Sequence, residues 1–359
     1  MNRRAALSLL GLGGLSAAAG GFAVSRARAE NAYYQGAASD HFDGRLFFNP
    51  DGKEPSGFLD LMRWQFGGGK AKWPAAWPSP FPQAKPEPRL AADALRVTMV
   101  GHASLLIQAG GLNFLTDPVW SPRASPFSFA GPKRVNAPGI AFDDLPPIDY
   151  VLVTHNHYDH MDAATLARLK AARDPHVITP LGNDAIIGKA APGIRISTHD
   201  WDERIDVGGA SVHVEPAHHW SARGAGDRRM ALWSAFTIET PAGNVYFGGD
   251  TGFHEGRNYE LARRKHGGFR LALLPIGAYE PRWFMEPHHQ NPEEAVAGFR
   301  LLGAEHAAGM HWGTFQLTNE AVDEPRQRLH AALDAEGIVN DRFRAMQPGE
   351  VWDVPAAAT

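Results

Sequence analysis

Hydrophobic and polar positions settle into strand-like segments from Leu95 onward. Leu95–Val100 and Leu105–Gln108 lead through Gly110-Gly111 into Leu112–Leu115, a pattern that predicts a meander with a hairpin. Ile148–Val153 reads as a fully buried strand, and Ala163–Ala172 as a helix capped by Asp162. Ser211–Glu215, Leu232–Glu239 and Asn244–Phe247 follow as strands, the last two joined by a Pro241-Ala242-Gly243 turn. Leu271–Pro275 and Ala307–Met310 read as short inner strands. Between them a helix should begin at Asn291-Pro292-Glu293-Glu294, with Asn291 as cap, Pro292 in the first position and acids in the first turn. Helices interleave with strands without strict alternation. That predicts an α/β protein with two packed mixed sheets and helices on the outer faces, an α/β/β/α sandwich. No internal repeat shows in the sequence, although the halves could be structural repeats that have diverged.

Before Leu95 the pattern weakens. Residues 30–66 mix polar and aromatic side chains with little periodicity. Gly67 to Pro88 is rich in glycine and proline and carries Trp73, Trp77 and Phe81. Its prolines exclude regular helix or central strand, so it should cross the surface as an extended arm. The arm is either a structural strap or a contact for lipid or for a substrate groove. At the start, Arg3-Arg4 precede an uncharged stretch from Ala5 to Val24, and Ala27-Arg28-Ala29 has the small-x-small form of a cleavage site. This has the form of a twin-arginine export signal cleaved after Ala29, which predicts a periplasmic protein; the alternative is an uncleaved anchor in the inner membrane. The expected organisation is therefore a signal over 1–29, an extension and arm over 30–94, and one catalytic domain over 95–359.

Composition narrows the chemistry. The 359 residues are 44% hydrophobic and 21% charged, ordinary for a globular protein. The absence of cysteine excludes disulfides, thiolate metal sites and cysteine nucleophiles. Removing residues 1–29 takes away Arg3, Arg4, Arg26 and Arg28 and no acid, shifting the formal net charge from −4 to −8. Nothing here has the basic footprint of a nucleic-acid-binding protein.

The densest chemical signal is Thr154-His155-Asn156-His157-Tyr158-Asp159-His160-Met161-Asp162, directly after the apolar run Tyr150–Val153. An H-x-H-x-D-H string at a strand end places three imidazoles and a carboxylate on a loop that a rigid strand can aim. His155 and His157 point the same way, because strand side chains alternate. Three later strings also close strands: Ala217-His218-His219-Trp220, Gly248-Gly249-Asp250-Thr251-Gly252 and Met310-His311-Trp312-Gly313-Thr314. Each alone is unremarkable, but together they form an ordered set of seven ligands. Nitrogen and carboxylate donors without thiolate suit zinc, with manganese or iron as alternatives.

The order H-x-H-x-D-H, His, Asp, His resembles the metallo-β-lactamase superfamily. Within it, Leu115-Thr116-Asp117-Pro118-Val119-Trp120, Pro275-Ile276-Gly277-Ala278-Tyr279-Glu280-Pro281-Arg282-Trp283-Phe284-Met285 and Met310-His311-Trp312-Gly313-Thr314-Phe315 are similar to the N-acyl-phosphatidylethanolamine phospholipase D family. The similarity spans roughly Val97 to Pro325. It implies the metallo-β-lactamase-type sandwich and two divalent metal ions. His155, His157 and His219 would hold one, Asp159, His160 and His311 the other, with Asp250 bridging. Asp117 would hydrogen-bond a ligand imidazole, and His218 would stand behind the ligands or face solvent. His289 would contact phosphate or assist the leaving group, with His288 able to substitute; Tyr279, Glu280 and Arg282 would shape the substrate pocket, or Glu280 and Arg282 would form a structural ion pair.

The activity implied is hydrolysis of a glycerophospholipid on its headgroup side by a metal-bridging hydroxide, with Asp250, Asp159 and His289 at the chemistry. A peripheral membrane contact and a homodimer come with the resemblance. A lipid enzyme needs an apolar groove, which the Trp73–Phe81 and Trp120–Phe129 segments could supply. A lactonase or other carbonyl hydrolase is the alternative enzyme, and a non-catalytic metal-binding domain the alternative to an enzyme.

Overall fold

The computed structural model describes residues 30–356. The expected export signal lies outside them. Six strands run first: β1 (Leu95–Gly101), β2 (Ser104–Ala109), β3 (Leu112–Thr116), β4 (Tyr150–Leu152), β5 (His176–Pro180) and β6 (Arg195–His199). The next seven are β7 (Arg204–Asp206), β8 (Ser211–Glu215), β9 (Ala235–Thr240), β10 (Gly243–Phe247), β11 (Phe269–Pro275), β12 (Ala304–Met310) and β13 (Phe343–Ala345). A last strand, β14 (Val351–Asp353), returns to the edge of the first sheet against β1. The two seven-stranded sheets have the orders β14-β1-β2-β3-β4-β5-β6 and β13-β12-β11-β10-β9-β8-β7. In each, an antiparallel meander gives way to parallel strands, at β3–β4 in one and β10–β11 in the other. The halves thus repeat one topology although their sequences show no repeat.

Alternation explains the layers. Val97, Met99, Leu105 and Ile107 of the first sheet meet Val212, Val214, Phe236 and Ile238 of the second in the central core. The opposite faces pack under helices. On the second sheet, Tyr259, Phe299 and Leu329 cover Ala272 and Leu274; on the first, Leu166, Leu169 and Ile187 cover Val151 and Val177. The helices are α1 (Phe58–Phe66), α2 (Ala163–Ala172), α3 (Asp184–Ala190), α4 (Arg257–His266), the single turn α5 (Arg282–Met285), α6 (Pro292–Leu301) and α7 (Glu324–Ala335). The caps follow the sequence signals: Asp162 accepts from the Ala164 N–H, and Asn291 and Glu294 form a reciprocal capping box. The α/β/β/α sandwich is the observed architecture.

Helix α1 departs from the sequence expectation. It has no buried residue, and Phe58, Leu59 and Phe66 are largely exposed. Phe58, Leu61 and Met62 keep helical spacing, but Phe58 and Leu61 line an open cavity rather than enter the core. The Pro-rich segment does wrap the surface: Trp77 packs edge-on against Trp312, and the Trp73 indole donates to the Glu320 carbonyl. Among the described residues no helix is long and apolar enough to cross a membrane.

Candidate metal centre

One end of the sandwich collects the chemistry, because β1, β3, β4, β8, β10 and β12 all end there, each followed within a few residues by a polar side chain. The loop after β4 is fixed by Asp117, which is fully buried. Its carboxylate accepts from the Thr154 N–H, the Thr154 hydroxyl and His160 Nδ1, each at 2.7 Å. Gly249 takes φ 56°, and a Cβ there would lie 2.7 Å from Thr154, so the loop carrying Asp250 closes on the first only with glycine. Asp117, His102 and His311 take left-handed φ of 31°, 59° and 65°. Such strain, about 1–3 kcal/mol per residue, persists where surrounding structure over-determines a functional position.

The structure brings all seven expected ligands together. His155, His157, His219 and Asp250 present donor atoms within 4.8 Å of one another, and Asp159, His160 and His311 form a second such group with His102. Asp250 lies between them, 3.1 Å from His160 Nε2 and from His311 Nε2, and 3.7 Å from His219 Nε2. Ring nitrogens face each other directly: His155 Nε2 is 2.9 Å from His157 Nδ1, and His160 Nε2 is 3.1 Å from His311 Nε2. His157 Nε2 is buried without a hydrogen-bond partner. Converging lone pairs at these spacings need protons or cations between them.

The electrostatics agree. Burial holds His155 and His219 well below the usual imidazole range and brings His157 down to about 4. His160 and His311 go the other way. Burial lowers them, but Asp250 and its neighbouring carboxylates outweigh it, raising His160 well above its ordinary value and His311 to about 9. The same imidazoles pull Asp159 and Asp250 well below the carboxylate range against the opposing effect of burial. Protons on His160 and His311 stand where cations would balance the carboxylates. The donor set, all nitrogen and carboxylate oxygen, fits divalent ions.

His102 is the residue that the sequence reading missed. Its Nε2 lies 2.9 Å from Asp159 Oδ2, and its ring sits 3.9 Å from that of His311. Burial brings it down to about 3, so the neutral ring donates to Asp159. It stands alone between β1 and β2 in Gly101-His102-Ala103, and no spacing marks it.

The other expected residues divide. His289 lies at the centre, with Nδ1 3.9 Å from Asp250 and buried without a partner. His288 lines the same cavity, and its carbonyl accepts from His219 Nδ1 at 3.0 Å. His218 faces away: it stacks on His254 at 3.9 Å and contacts Asn258. Tyr279 and Arg282 are structural, which corrects the expectation that they meet substrate. The Tyr279 hydroxyl donates to Glu324 under the Arg328 guanidinium. Arg282 makes a two-pronged bond to Glu294 and donates to the His289 carbonyl at 2.8 Å. A second correction concerns the groove. Its apolar walls are Phe58, Leu61 and Trp64 of α1 with Phe284, Met285 and Leu317, and neither Trp73–Phe81 nor Trp120–Phe129 lines it. Trp120 is instead held by the Ile140 carbonyl, and Phe127 and Phe129 are exposed elsewhere.

Comparison with known proteins agrees with this geometry. The β-lactamase superfamily domain matches residues 112–312. N-acyl-phosphatidylethanolamine-hydrolyzing phospholipase D 1 of Caenorhabditis elegans is 40% identical over 271 residues, covering 72% of this chain and 76% of that protein. Among solved structures, an isothiocyanate hydrolase from Delia radicum gut bacteria aligns with TM-score 0.58 at 21% identity, over 73% of this chain and 100% of that one. CmlA, a diiron β-hydroxylase from Streptomyces venezuelae, aligns with TM-score 0.55 at 22% identity, over 74% and 55%. At such identities the two structures speak for the fold alone. A two-sheet sandwich with this centre at its strand ends defines a metal-dependent hydrolase. The chain belongs to the metallo-β-lactamase superfamily, and within it to the N-acyl-phosphatidylethanolamine phospholipase D-like family.

Proposed function

We propose that the chain is a phosphodiesterase of the phospholipase D type, acting on N-acyl-phosphatidylethanolamine or a related glycerophospholipid. The observation that carries this reading is a cavity of about 650 Å³ with His157, Asp159, Asp250 and His289 at its base and the apolar α1 and α5 side chains as walls. Such a shape suits a polar diester joined to acyl chains.

His155, His157 and His219 would hold one divalent cation and Asp159, His160 and His311 a second, with Asp250 shared; zinc fits the donors, and manganese or iron are the alternatives. When bound, such ions lower the pKa of water and offset negative charge developing on phosphoryl oxygens. The remaining work falls to the chain. Asp117 fixes the tautomer of His160, and the His288 carbonyl fixes that of His219. Arg282, through the His289 carbonyl, holds His289 where its unpartnered nitrogen meets a phosphoryl or departing oxygen. Phe58, Leu61 and Phe284 exclude water and grip the acyl chains.

Exposed Phe58, Leu59 and Phe66 flank this cavity and form the face we assign to the bilayer surface. Export through residues 1–29 to the periplasm, and assembly as a homodimer, complete the proposal. The test presents the metal-loaded protein with N-acyl-phosphatidylethanolamine, a small diester and a lactone in parallel. Release of phosphatidate is the expected result; turnover of the lactone alone would overturn the reading.

A further inference from the structure

A second group of metal-ligating side chains lies away from the catalytic end. In β8, Val212 and Val214 enter the core between the sheets, so Ser211, His213 and Glu215 face outward. In β9, Phe236 and Ile238 enter the same core, and Thr237 and Glu239 face outward beside them. The register sets His213 opposite Thr237 and Ser211 opposite Glu239. The last turn of α4 lays Lys265 and His266 over this face.

We propose that His213, Glu239 and His266 bind one zinc ion, separate from the catalytic centre. Their donor atoms lie within 4.8 Å of one another. His213 Nε2 is 3.0 Å from Glu239 Oε2, and His266 Nδ1 is 2.8 Å from Glu239 Oε1. Ser211 Oγ lies 3.2 Å from His213 Nε2 and 2.9 Å from Glu239 Oε2. Two imidazoles and a carboxylate are donors that zinc accepts in tetrahedral sites, with a fourth position open to water held by the Ser211 hydroxyl.

Three further observations support an ion here. First, Glu215, itself buried, takes the opposite ring nitrogen of His266 at 2.7 Å. That carboxylate–imidazole pairing orients a metal ligand, as Asp117 does for His160. Second, the charges are uneven. Among the described residues Lys265 bonds Asp202 and Glu215, whereas Glu239 faces only the imidazoles of His213 and His266 and the Ser211 hydroxyl. Burial lowers the His266 pKa, but Glu215 and Glu239 outweigh it and raise it, so the pair calls for positive charge between them; a divalent ion at Nδ1 would take the place of that proton. Third, the Thr237 hydroxyl is fully buried and lacks a hydrogen-bond partner, directly across the strand pair from His213. A buried hydroxyl left unpaired costs about 1–3 kcal/mol unless a polar group occupies the space beside it.

This site is remote from the first. The Ser234 N–H bonds the Thr154 carbonyl at the catalytic end, and Glu239 lies five residues further along, about 16 Å at strand spacing. It therefore serves the fold, tying β8 and β9 to the end of α4.

The test strips the full-length protein with chelator, reloads it with zinc and counts bound zinc per chain in the parent, His213→Gln and Glu239→Gln. Both variants should bind one ion fewer than the parent and keep its turnover of substrate. Zinc-edge anomalous diffraction from parent crystals should place a peak between His213, Glu239 and His266. Equal zinc content in all three proteins, or no peak in that position, would overturn the proposal. If His213→Gln fails to fold, Glu239→Gln and the anomalous peak still decide it.

Discussion

Replacing Asp117 with asparagine probes how strongly the centre depends on a residue that would touch no metal. The carboxylate is fully buried and accepts three hydrogen bonds at 2.7 Å, two from Thr154 and one from His160. Burial pushes its pKa up, and the His160 and Thr154 donors offset that only in part. Asparagine has the same shape but one acceptor oxygen. If that oxygen stays on the Thr154 N–H, the amide nitrogen faces His160 Nδ1, and the ring must move its proton to Nε2 to accept from it. That nitrogen is the one aimed at Asp250, so the imidazole presents a proton where a lone pair is needed. Losing the Thr154 hydroxyl bond to a charged group removes about 1.5–3 kcal/mol of folding stability, and the His160 bond survives only with its donor and acceptor exchanged. Losing the orienting carboxylate should weaken metal binding by about 10- to 100-fold. Thr154→Val is the comparison: it leaves the His160 tautomer alone but removes the hydroxyl from between Asp117 and His155 Nδ1, so any loss of metal affinity in it reports on His155 instead. Chelator competition would measure metal affinity in all three proteins, with thermal denaturation beside it. Asp117→Asn binding metal within about twofold of the parent would refute the argument, because the tautomer would then not be set by this carboxylate.

Four further outcomes follow. Asp250→Asn should lower turnover by about 10³-fold, the kinetic equivalent of several kcal/mol of lost charge stabilisation, while circular dichroism stays unchanged; parent-like rates would contradict its shared position. Chelation should abolish turnover and lower the melting temperature together, with both recovering on adding back zinc. Phe284→Ala should reduce kcat/KM for a long-chain lipid by about 10- to 100-fold, from about 1.5–3 kcal/mol of lost apolar contact, and leave a short water-soluble diester unaffected. His41 offers a pH test. Burial lowers it, but hydrogen bonds with Asp200 at 2.7 Å and Asp40 at 2.6 Å outweigh that and leave its pKa raised. Its contribution to stability is thus fully present below the unfolded value of about 6.5 and is lost as pH rises through the higher folded value. The melting temperature should fall across that window in the parent and change less in His41→Asn.

What could be read from the chain beforehand follows from where the information lies. The strands of the core were legible because Val, Leu and Ile alternate with polar residues or run together, and the seven ligands because each follows a strand end within a few positions. His102 was not, since a single histidine in a turn acquires meaning only when Asp159 and His311 arrive from elsewhere in the sequence. Tyr279 and Arg282 were misassigned for the opposite reason. They stand in a string shared with a lipid-hydrolysing family; an ion pair was the alternative for Arg282, but its partner Glu294 on the next helix, and the Tyr279 partner Glu324 on α7, follow from no local pattern. The cavity wall was assigned to tryptophans conspicuous in sequence, whereas α1, which keeps helical spacing but buries no stripe in the core, was passed over.

That helix has a consequence for how such enzymes change. Trp64 stacks on Phe284 at 5.1 Å and bonds Asn319, so α1 is docked onto the catalytic body by few contacts of its own. It lies outside residues 112–312, where the superfamily match and five of the six strand-end loops are found. The candidate ligands and the α1 side of the apolar wall are therefore written in separate stretches of the gene. A chain begun at Leu95 would keep every candidate ligand and lose one side of its substrate chamber. Exchanging residues 55–66 between relatives would then reshape one wall of the cavity and leave the candidate ligands untouched.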